Sequence, residues 1–483
     1  MKQPQYLVID IGTGNVRVAL TQPSGTILKV ATDSVRYRRD PLYPDSIYFD
    51  PAELWDQIVL LCRDVLEGVE PDSIAAVTTS SQREGIVLID KDGRDVIGMP
   101  NIDHRGREYE PILKDKARVY QLTGRYPTSL FSAFKVVGYR EKYPGKAAQL
   151  AHMVSISDWA VYRLSGKIGY EHSQASETLL YDVAAQRWSD ELCACFDIPA
   201  TILPPLVRAD EIAGSLLENT AASIGLSTSV QVVTGGADTQ LAVESTVPST
   251  NDIILVSGTT TPVVKIVDRY ITDDAQRTWT NSHTEKGLFI LETNAGVTGL
   301  NLQRYKAIFY PNEGYETMAA EIESALASGP HCWAALGSLI AGEEKALLRG
   351  GFSLPVPLSH DLTRGQFSLA VLWDIACSIY ENYLALCSVT PHEEPYLWAC
   401  GGGMESQLLR KFLADLSGKE IRVRNNYRQA TVAGGAVICN RIFGLSAEMS
   451  EDFTSTMPQS ENRARDWYEQ WKNNREDLKT RQK

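Results

Sequence analysis

The sequence predicts an α/β protein with two large domains and a cleft between them. Three observations carry that expectation. Strand and helix patterns alternate along the chain. A strand, Gly-Thr turn and strand near the start recurs at 253–266. The length, 483 residues, exceeds what a single core commonly organises.

The elements follow in order. Residues 6–20 form an apolar run into Asp10, a break at Gly12-Thr13-Gly14 and renewed alternation, so 5–31 reads as a hairpin. Leu54, Ile58, Leu61 and Val65 recur at helical spacing within 54–69, and 74–79 and 85–89 read as strands. A largely helical stretch is expected over 133–164, stopped at Ser165-Gly166. A short buried strand at 230–234 opens onto Gly235-Gly236-Ala237-Asp238. The second half repeats the plan: the 253–266 hairpin, a strand at 287–291, a long helix over 369–387 and a strand at 396–400. After the turn Gly401-Gly402-Gly403 come a helix over 405–417, a strand at 421–423 and an apolar helix through 433–437. Beyond Pro458 the chain is polar, with Trp467, Tyr468 and Trp471 at helical spacing, and reads as a helix packed on the outside.

Composition is that of a soluble globular protein. The formal charge, 47 − 60 = −13, and the lack of a Lys/Arg cluster interleaved with aromatics argue against nucleic acid as a partner. An acidic surface is compatible with ATP, which arrives as a metal complex and is held by local backbone and dipoles. Eight scattered cysteines show no metal-ligand spacing and read as reduced thiols, and the histidines form no spaced cluster. With no signal-peptide pattern and no apolar run of spanning length, a cytoplasmic protein with no membrane partner is expected.

Several constellations can carry chemistry. Asp10 can hold a hydrated Mg²⁺, while Gly12 and Gly14 let backbone N–H groups approach phosphate oxygens; a structural Gly-rich hairpin is the alternative. Asp238, at the end of a buried strand on a Gly-rich turn, suits a base that takes a hydroxyl proton as the P–O bond forms. Equally, it suits a helix cap, and both readings stand at this point. Gln82-Arg83-Glu84 and Asn101-Ile102-Asp103-His104-Arg105 place opposite charges side by side, either to bind a small polar ligand or as exposed loop pairs. Gly401-Gly402-Gly403-Met404 can let adenine lie against backbone, or be a flexible turn.

In this order, Asp10-Ile11-Gly12-Thr13-Gly14-Asn15-Val16-Arg17, Gly235-Gly236-Ala237-Asp238, Gly258-Thr259-Thr260 and Gly401-Gly402-Gly403-Met404 with Ala414-Asp415 resemble the motifs of the FGGY carbohydrate kinases. The resemblance runs from Asp10 to Ala436. It implies two ribonuclease-H-like domains of the actin/hexokinase/sugar-kinase type: 1–246, binding sugar and carrying the base, and 247–455, binding ATP, with a helical tail at 456–483. It also implies Asp238 as catalytic base and Asp10 as the carboxylate on the Mg²⁺ side. Gln82, Arg83, Glu84, Asp103, Asp238 and Gln240 would face the sugar. Gly12, Thr13, Gly14, Asn15, Arg17, Gly258, Thr259, Gly402, Gly403 and Met404 would bind ATP. The partners implied are a small sugar-like substrate and ATP, with a homodimer left open.

Within the family, Arg83-Glu84 is similar to glycerol kinases, but the aromatic those enzymes place before Phe131-Ser132 is Leu130 here. Arg83-Glu84-Gly85-Ile86-Val87-Leu88, Asn101-Ile102-Asp103, Ile156-Ser157-Asp158-Trp159, Asp238-Thr239-Gln240-Leu241 and Leu413-Ala414-Asp415 are similar to the autoinducer-2 kinase branch. That branch implies a small linear dihydroxy-diketone phosphorylated at its terminal hydroxyl. A ketopentose, ketotetrose or polyol is the alternative substrate. A non-catalytic ATP-binding regulator is the alternative of another class, and its signature would be loss of the base or the phosphate turns. Gly138, Trp373 and Gln429 depart from the family's usual Trp, acid and Glu; these departures bear on substrate and leave Asp10 and Asp238 in place.

Overall fold

A computed structural model describes residues 3–337, 339–343, 345–445, 452–459 and 463–480. Two mixed sheets organise the chain. The first runs Ile212–Ser215, Gln231–Ala237, Ile74–Ser81, Gln5–Ile11, Asn15–Thr21, Ile27–Ser34. The second runs Trp279–Ser282, Phe289–Asn294, Pro262–Val267, Ile253–Val256, Tyr396–Cys400, Glu420–Arg424, Phe453–Thr456. Each has an antiparallel hairpin whose first strand then pairs in parallel with a later strand. A second parallel pairing and an antiparallel edge follow in both. The second sheet is thus a topological copy of the first with Trp279–Ser282 added at one edge.

The parallel strands are buried runs rather than alternating ones, because helices cover them. Helix Pro51–Leu66 starts at Asp50, whose carboxylate accepts the Ala52 N–H at 3.0 Å, and lays Leu54, Ile58, Leu61 and Val65 on the first sheet. Helix Arg364–Val389 is buried over most of its surface. It is enclosed by the second sheet and by helices Tyr315–Ser328, Gln407–Ser417 and Ala464–Thr480, so its sequence is apolar all round.

The expected helical stretch over 133–164 is corrected by the structure. Helix Ser132–Lys142 gives way at Tyr143-Pro144, and strand Leu150–Ser155 intervenes before helix Ile156–Ser165. That strand pairs antiparallel with Ile86–Asp90 in a separate three-stranded sheet. Its apolar residues satisfy either period over so short a run, and only the distant partner decides.

Helix Ala464–Thr480 packs against the second lobe, with Trp471 only 1% exposed. The Trp471 indole donates to Asp374 Oδ1 at 2.8 Å. Positions 460–462 and 481–483 of the expected tail lie outside the described residues. All eight cysteines are free thiols, and no helix among the described residues is long and apolar enough to cross a membrane.

The lobes meet along helix Ala430–Ile442, which follows strand Glu420–Arg424 of the second sheet and lies against strand Gln5–Ile11 and helix Asp238–Glu244 of the first lobe. Small residues permit that crossing. A Cβ on Gly434 would stand 1.8 Å from the Leu241 carbonyl oxygen, and one on Gly435 would stand 2.7 Å from a Val8 methyl.

Candidate active site

The site grows from the carboxyl ends of three neighbouring strands, where open α/β sheets bind ligands. Asp10, Ser80 and Gly236 are at one level in the register, and Ile11, Ser81 and Ala237 at the next. Asp10 and Asp238 therefore emerge on either side of Ile74–Ser81, two strand spacings or about 10 Å apart at the backbone. Gln82-Arg83-Glu84 leaves the strand between them.

Local sequence makes that placement possible. The pairing shifts between Val233 and Gly236, and a Cβ on Gly235 would fall 1.8 Å from the Thr79 carbonyl oxygen, so only glycine passes there. The Ala237 N–H donates to Ser173 Oγ at 3.0 Å, and Ser173 is held by the Glu171 carboxylate. Asp238 then opens helix Asp238–Glu244. The cap position is Ala237, which makes no side-chain cap bond. Among the described residues Asp238 Oδ1 accepts only from the adjoining Thr239, N–H at 2.6 Å and hydroxyl at 3.3 Å. Asp238 thus stands in the first helical position rather than at the cap position, partly exposed. Burial raises its pKa, opposed first by Arg83.

Asp10 faces Arg17 across the first hairpin, with Arg17 Nη1 to Oδ2 at 3.2 Å. Its Oδ1 is buried and has no partner among the described residues. Burial pushes its pKa up to about 6; Arg17 lowers it and Asp238 raises it, which puts the two acids within electrostatic reach. A carboxylate with one oxygen anchored and the other unpartnered fits Mg²⁺, which takes one or two carboxylates and otherwise keeps phosphate oxygens and waters. Among the described residues no group of three His, Cys, Asp or Glu side chains forms a closed metal cage.

The first turn is braced from the sugar side. Gln82 Nε2 donates to the Gly12 carbonyl at 3.3 Å, and its Oε1 accepts the Asn101 N–H at 2.9 Å. Thr13 Oγ1 donates to Asn101 Oδ1 at 3.0 Å, and Tyr37 to the Thr13 carbonyl at 2.5 Å. Gly14 and Asn15 are exposed at the tip. In the second lobe, Gly258 and Thr259 are exposed, and a Cβ on Gly258 would meet nothing nearer than 3.8 Å. Gly401, at φ +92°, and Gly403 sit on Ser257, where added Cβ atoms would come within 2.3 and 2.1 Å of it. Only Gly402 of the three is open. The Gly401 N–H donates to Tyr427, just before the crossing helix, and Thr431 of that helix donates to the Asp238 carbonyl at 3.4 Å. The glycine turn is thereby tied to the helix that carries Asp238.

Not every expected residue turns towards the cleft. Met404 is fully buried in the second core, so only its backbone is available. Asp103 is fully buried, its oxygens accepting from Arg105 N–H at 3.1 Å and Nε at 2.6 Å. Gln240 is about 200° around its helix from Asp238. It is buried, and neither amide atom has a partner among the described residues.

Around Arg83 and Glu84 the structure adds residues that no motif marked. Arg83 pairs with Glu292 of the second lobe and stands 3.8 Å from Glu177. Arg125 binds Glu177 and Asn281 and lies between Phe131 and Trp279, 5.3 and 4.9 Å from their ring centres. Lys135, fully buried, donates to the carbonyls of Asn101 (3.3 Å), Asp103 (3.0 Å) and Leu130. Burial raises the Glu84 carboxyl, as does Glu177, against Arg83, Arg125 and Lys135; burial likewise lowers the Lys135 amine. A lysine inside the apolar run Phe134-Lys135-Val136-Val137 was a readable signal; Glu177, Asn281 and Glu292 carried none.

Comparison with known proteins decides the family. Residues 5–244 match the N-terminal domain, and residues 221–442 the C-terminal domain, of the FGGY family of carbohydrate kinases. The Bacillus subtilis protein named "Putative sugar kinase YoaC" is 48% identical over 98% of this chain and 96% of its own. The chain belongs to the FGGY carbohydrate kinases. It is therefore a phosphotransferase that acts on a hydroxyl. The autoinducer-2 kinase of Escherichia coli K12 is 25% identical over 92% of this chain and 87% of its own. The gluconate kinase structure from Lactobacillus acidophilus superposes with a TM-score of 0.85 at 17% identity, covering 99% of this chain and 98% of that one, and shares the two-domain fold. The two-domain actin/hexokinase-like fold expected from the motifs is the fold of this FGGY kinase.

Proposed function

We propose that this FGGY kinase transfers the γ-phosphoryl group of ATP to the terminal hydroxyl of a small uncharged polyhydroxylated carbonyl compound in the cytoplasm. The autoinducer-2 precursor is the first candidate substrate. The observation that carries the reading is the pairing of Asp10 and Asp238 on either side of one strand end, with Arg83 and Glu84 between them. The autoinducer branch is supported by the segments around Arg83, Asn101 and Asp238 and by the autoinducer-2 kinases among the relatives.

In this reading Asp238 accepts the hydroxyl proton as the oxygen attacks phosphorus. A positioned base of this kind contributes about 10²–10⁴ in rate. Arg83 opposes the rise that burial gives the Asp238 pKa and so favours the carboxylate form that receives the proton. Asp10 would hold Mg²⁺, which when bound neutralises phosphate charge. The N–H groups of the 12–15 and 258–259 turns would hold phosphate oxygens, and Gly402 with the Gly403 and Met404 backbone would face adenine. The division falls at 246/247, sugar on the first side and ATP mainly on the second, and closing of the lobes excludes water.

The test is ADP release with Mg-ATP across the autoinducer-2 precursor, D-xylulose, L-erythrulose and glycerol. Turnover confined to the precursor is expected. Preference for a ketose or polyol would retain the kinase and discard the autoinducer branch.

A further inference from the structure

Arg83, the cation that the family resemblance turns towards the sugar, is not a free cation. Its Nη1 donates to Glu292 Oε2 at 2.6 Å and its Nη2 to Oε1 at 3.0 Å, a bidentate pair with side-chain exposures of 9% and 0%. Glu292 comes from strand Phe289–Asn294 of the opposite lobe and is fixed in turn by Asn281 Nδ2 at 3.2 Å. The remaining charges within reach also cancel. Arg125 is paired with Glu177 and Arg105 with Asp103, Lys135 stands within electrostatic reach of Asp103 and Glu84, Asp238 lies in reach of Arg83 and Glu177, and burial favours the neutral forms of Glu84 and Lys135.

A sugar acid entering such a site would leave water without meeting an uncompensated cation, and its carboxylate would be added to those of Glu177 and Asp238. An unpaired Arg83 would offer the planar fork that binds carboxylates bidentately. We propose that Glu292 sets the charge selectivity of the sugar site: by neutralising Arg83 from the opposite lobe it restricts the site to uncharged polyhydroxyl compounds and rejects sugar acids. This rests on the sugar-site reading of Arg83, and it assigns Glu292 as a positioning residue that acts through Arg83.

The experiment measures calorimetric binding of D-glucitol and of D-gluconate, its carboxylate counterpart, to the full chain with ATP-binding checked in every variant. Wild type is expected to favour glucitol, and Glu292→Gln to bind gluconate about tenfold tighter than wild type while losing affinity for glucitol. Glu292→Asp, which keeps the charge, is expected to behave as wild type. A merely structural role for Glu292 would weaken both ligands and produce no gain for the anion. Gluconate bound by wild type as tightly as glucitol overturns the proposal without any variant, as does unchanged or weaker gluconate binding by an ATP-binding Glu292→Gln protein. Failure of the proposed neutral substrate class would show separately, as no ADP release by wild type on any neutral compound of the panel.

Discussion

Gly434→Ala tests how tightly the lobe crossing is coupled to the base. The added methyl would lie 1.8 Å from the Leu241 carbonyl oxygen and 2.5 Å from its carbon. Ordinary contact begins at 3.4 Å, so 3.4 − 1.8 = 1.6 Å must be recovered. No flexible side chain can yield, because backbone faces backbone; one helix must move. Overpacking of this kind costs about 1–3 kcal/mol, and replacing a mid-helix glycine returns up to about 1 kcal/mol, leaving a net loss of about 1–2 kcal/mol. Leu241 is on the same short helix as Asp238, so the base moves with it. A displacement of about 1 Å at a reacting group costs about 10²-fold in rate. Urea unfolding and substrate-dependent ADP release, each against Gly145→Ala, read the two effects. An added Cβ at Gly145 meets nothing within 4 Å, and that control is expected to match wild type. Wild-type stability and wild-type kcat in Gly434→Ala would refute the coupling. Lost stability with intact kcat would show that the crossing helix yields and the base helix stays.

Two further outcomes are expected. Burial raises Asp10 from 3.8 to about 6, an upper bound of about 3 kcal/mol against folding with the carboxylate ionised. Because the folded state binds this proton more tightly than the unfolded state, the group's contribution is fully favourable below pH 4 and is lost as pH rises through about 6. Asp10→Asn is therefore expected to unfold at higher urea than wild type at pH 8, to lose that advantage at pH 4, and to turn over poorly with Mg-ATP; equal or lower stability at pH 8 would contradict the sign. Trp471→Ala removes a side chain that is 1% exposed and bonded to Asp374, and is expected to cost about 3–5 kcal/mol in urea unfolding. A change below about 0.5 kcal/mol would show that the tail helix is not part of the second core.

Much of the fold was readable because its defining parts are local. The Gly12–Gly14 and Gly258–Thr259 hairpins carry both turn chemistry and strand period in a few residues, and their recurrence showed the duplication. Strand Leu150–Ser155 escaped because its partner, Ile86–Asp90, is remote in sequence and its own pattern is too short to fix a period. The site divides in the same way. Motifs marked the strand ends and turns at Asp10, Arg83, Asp238 and Gly402, which are local features of the backbone path. They did not give direction at Asp103, Met404 and Gln240, whose side chains turn inward to Arg105, the second core and the far side of a helix. Nor could they find Glu177, Arg125 or Glu292, whose roles come from contacts made across the lobes or long stretches of chain.

The central claim, that Asp238 takes the proton of the acceptor hydroxyl, is tested most directly by single-turnover ADP formation in wild type and Asp238→Asn. The measurement uses the neutral compound that wild type phosphorylates fastest, with ATP binding verified in both proteins. The account predicts a fall of about 10²–10⁴ in the rate with ATP affinity unchanged. An Asn variant that transfers the phosphoryl group at the wild-type rate would contradict it.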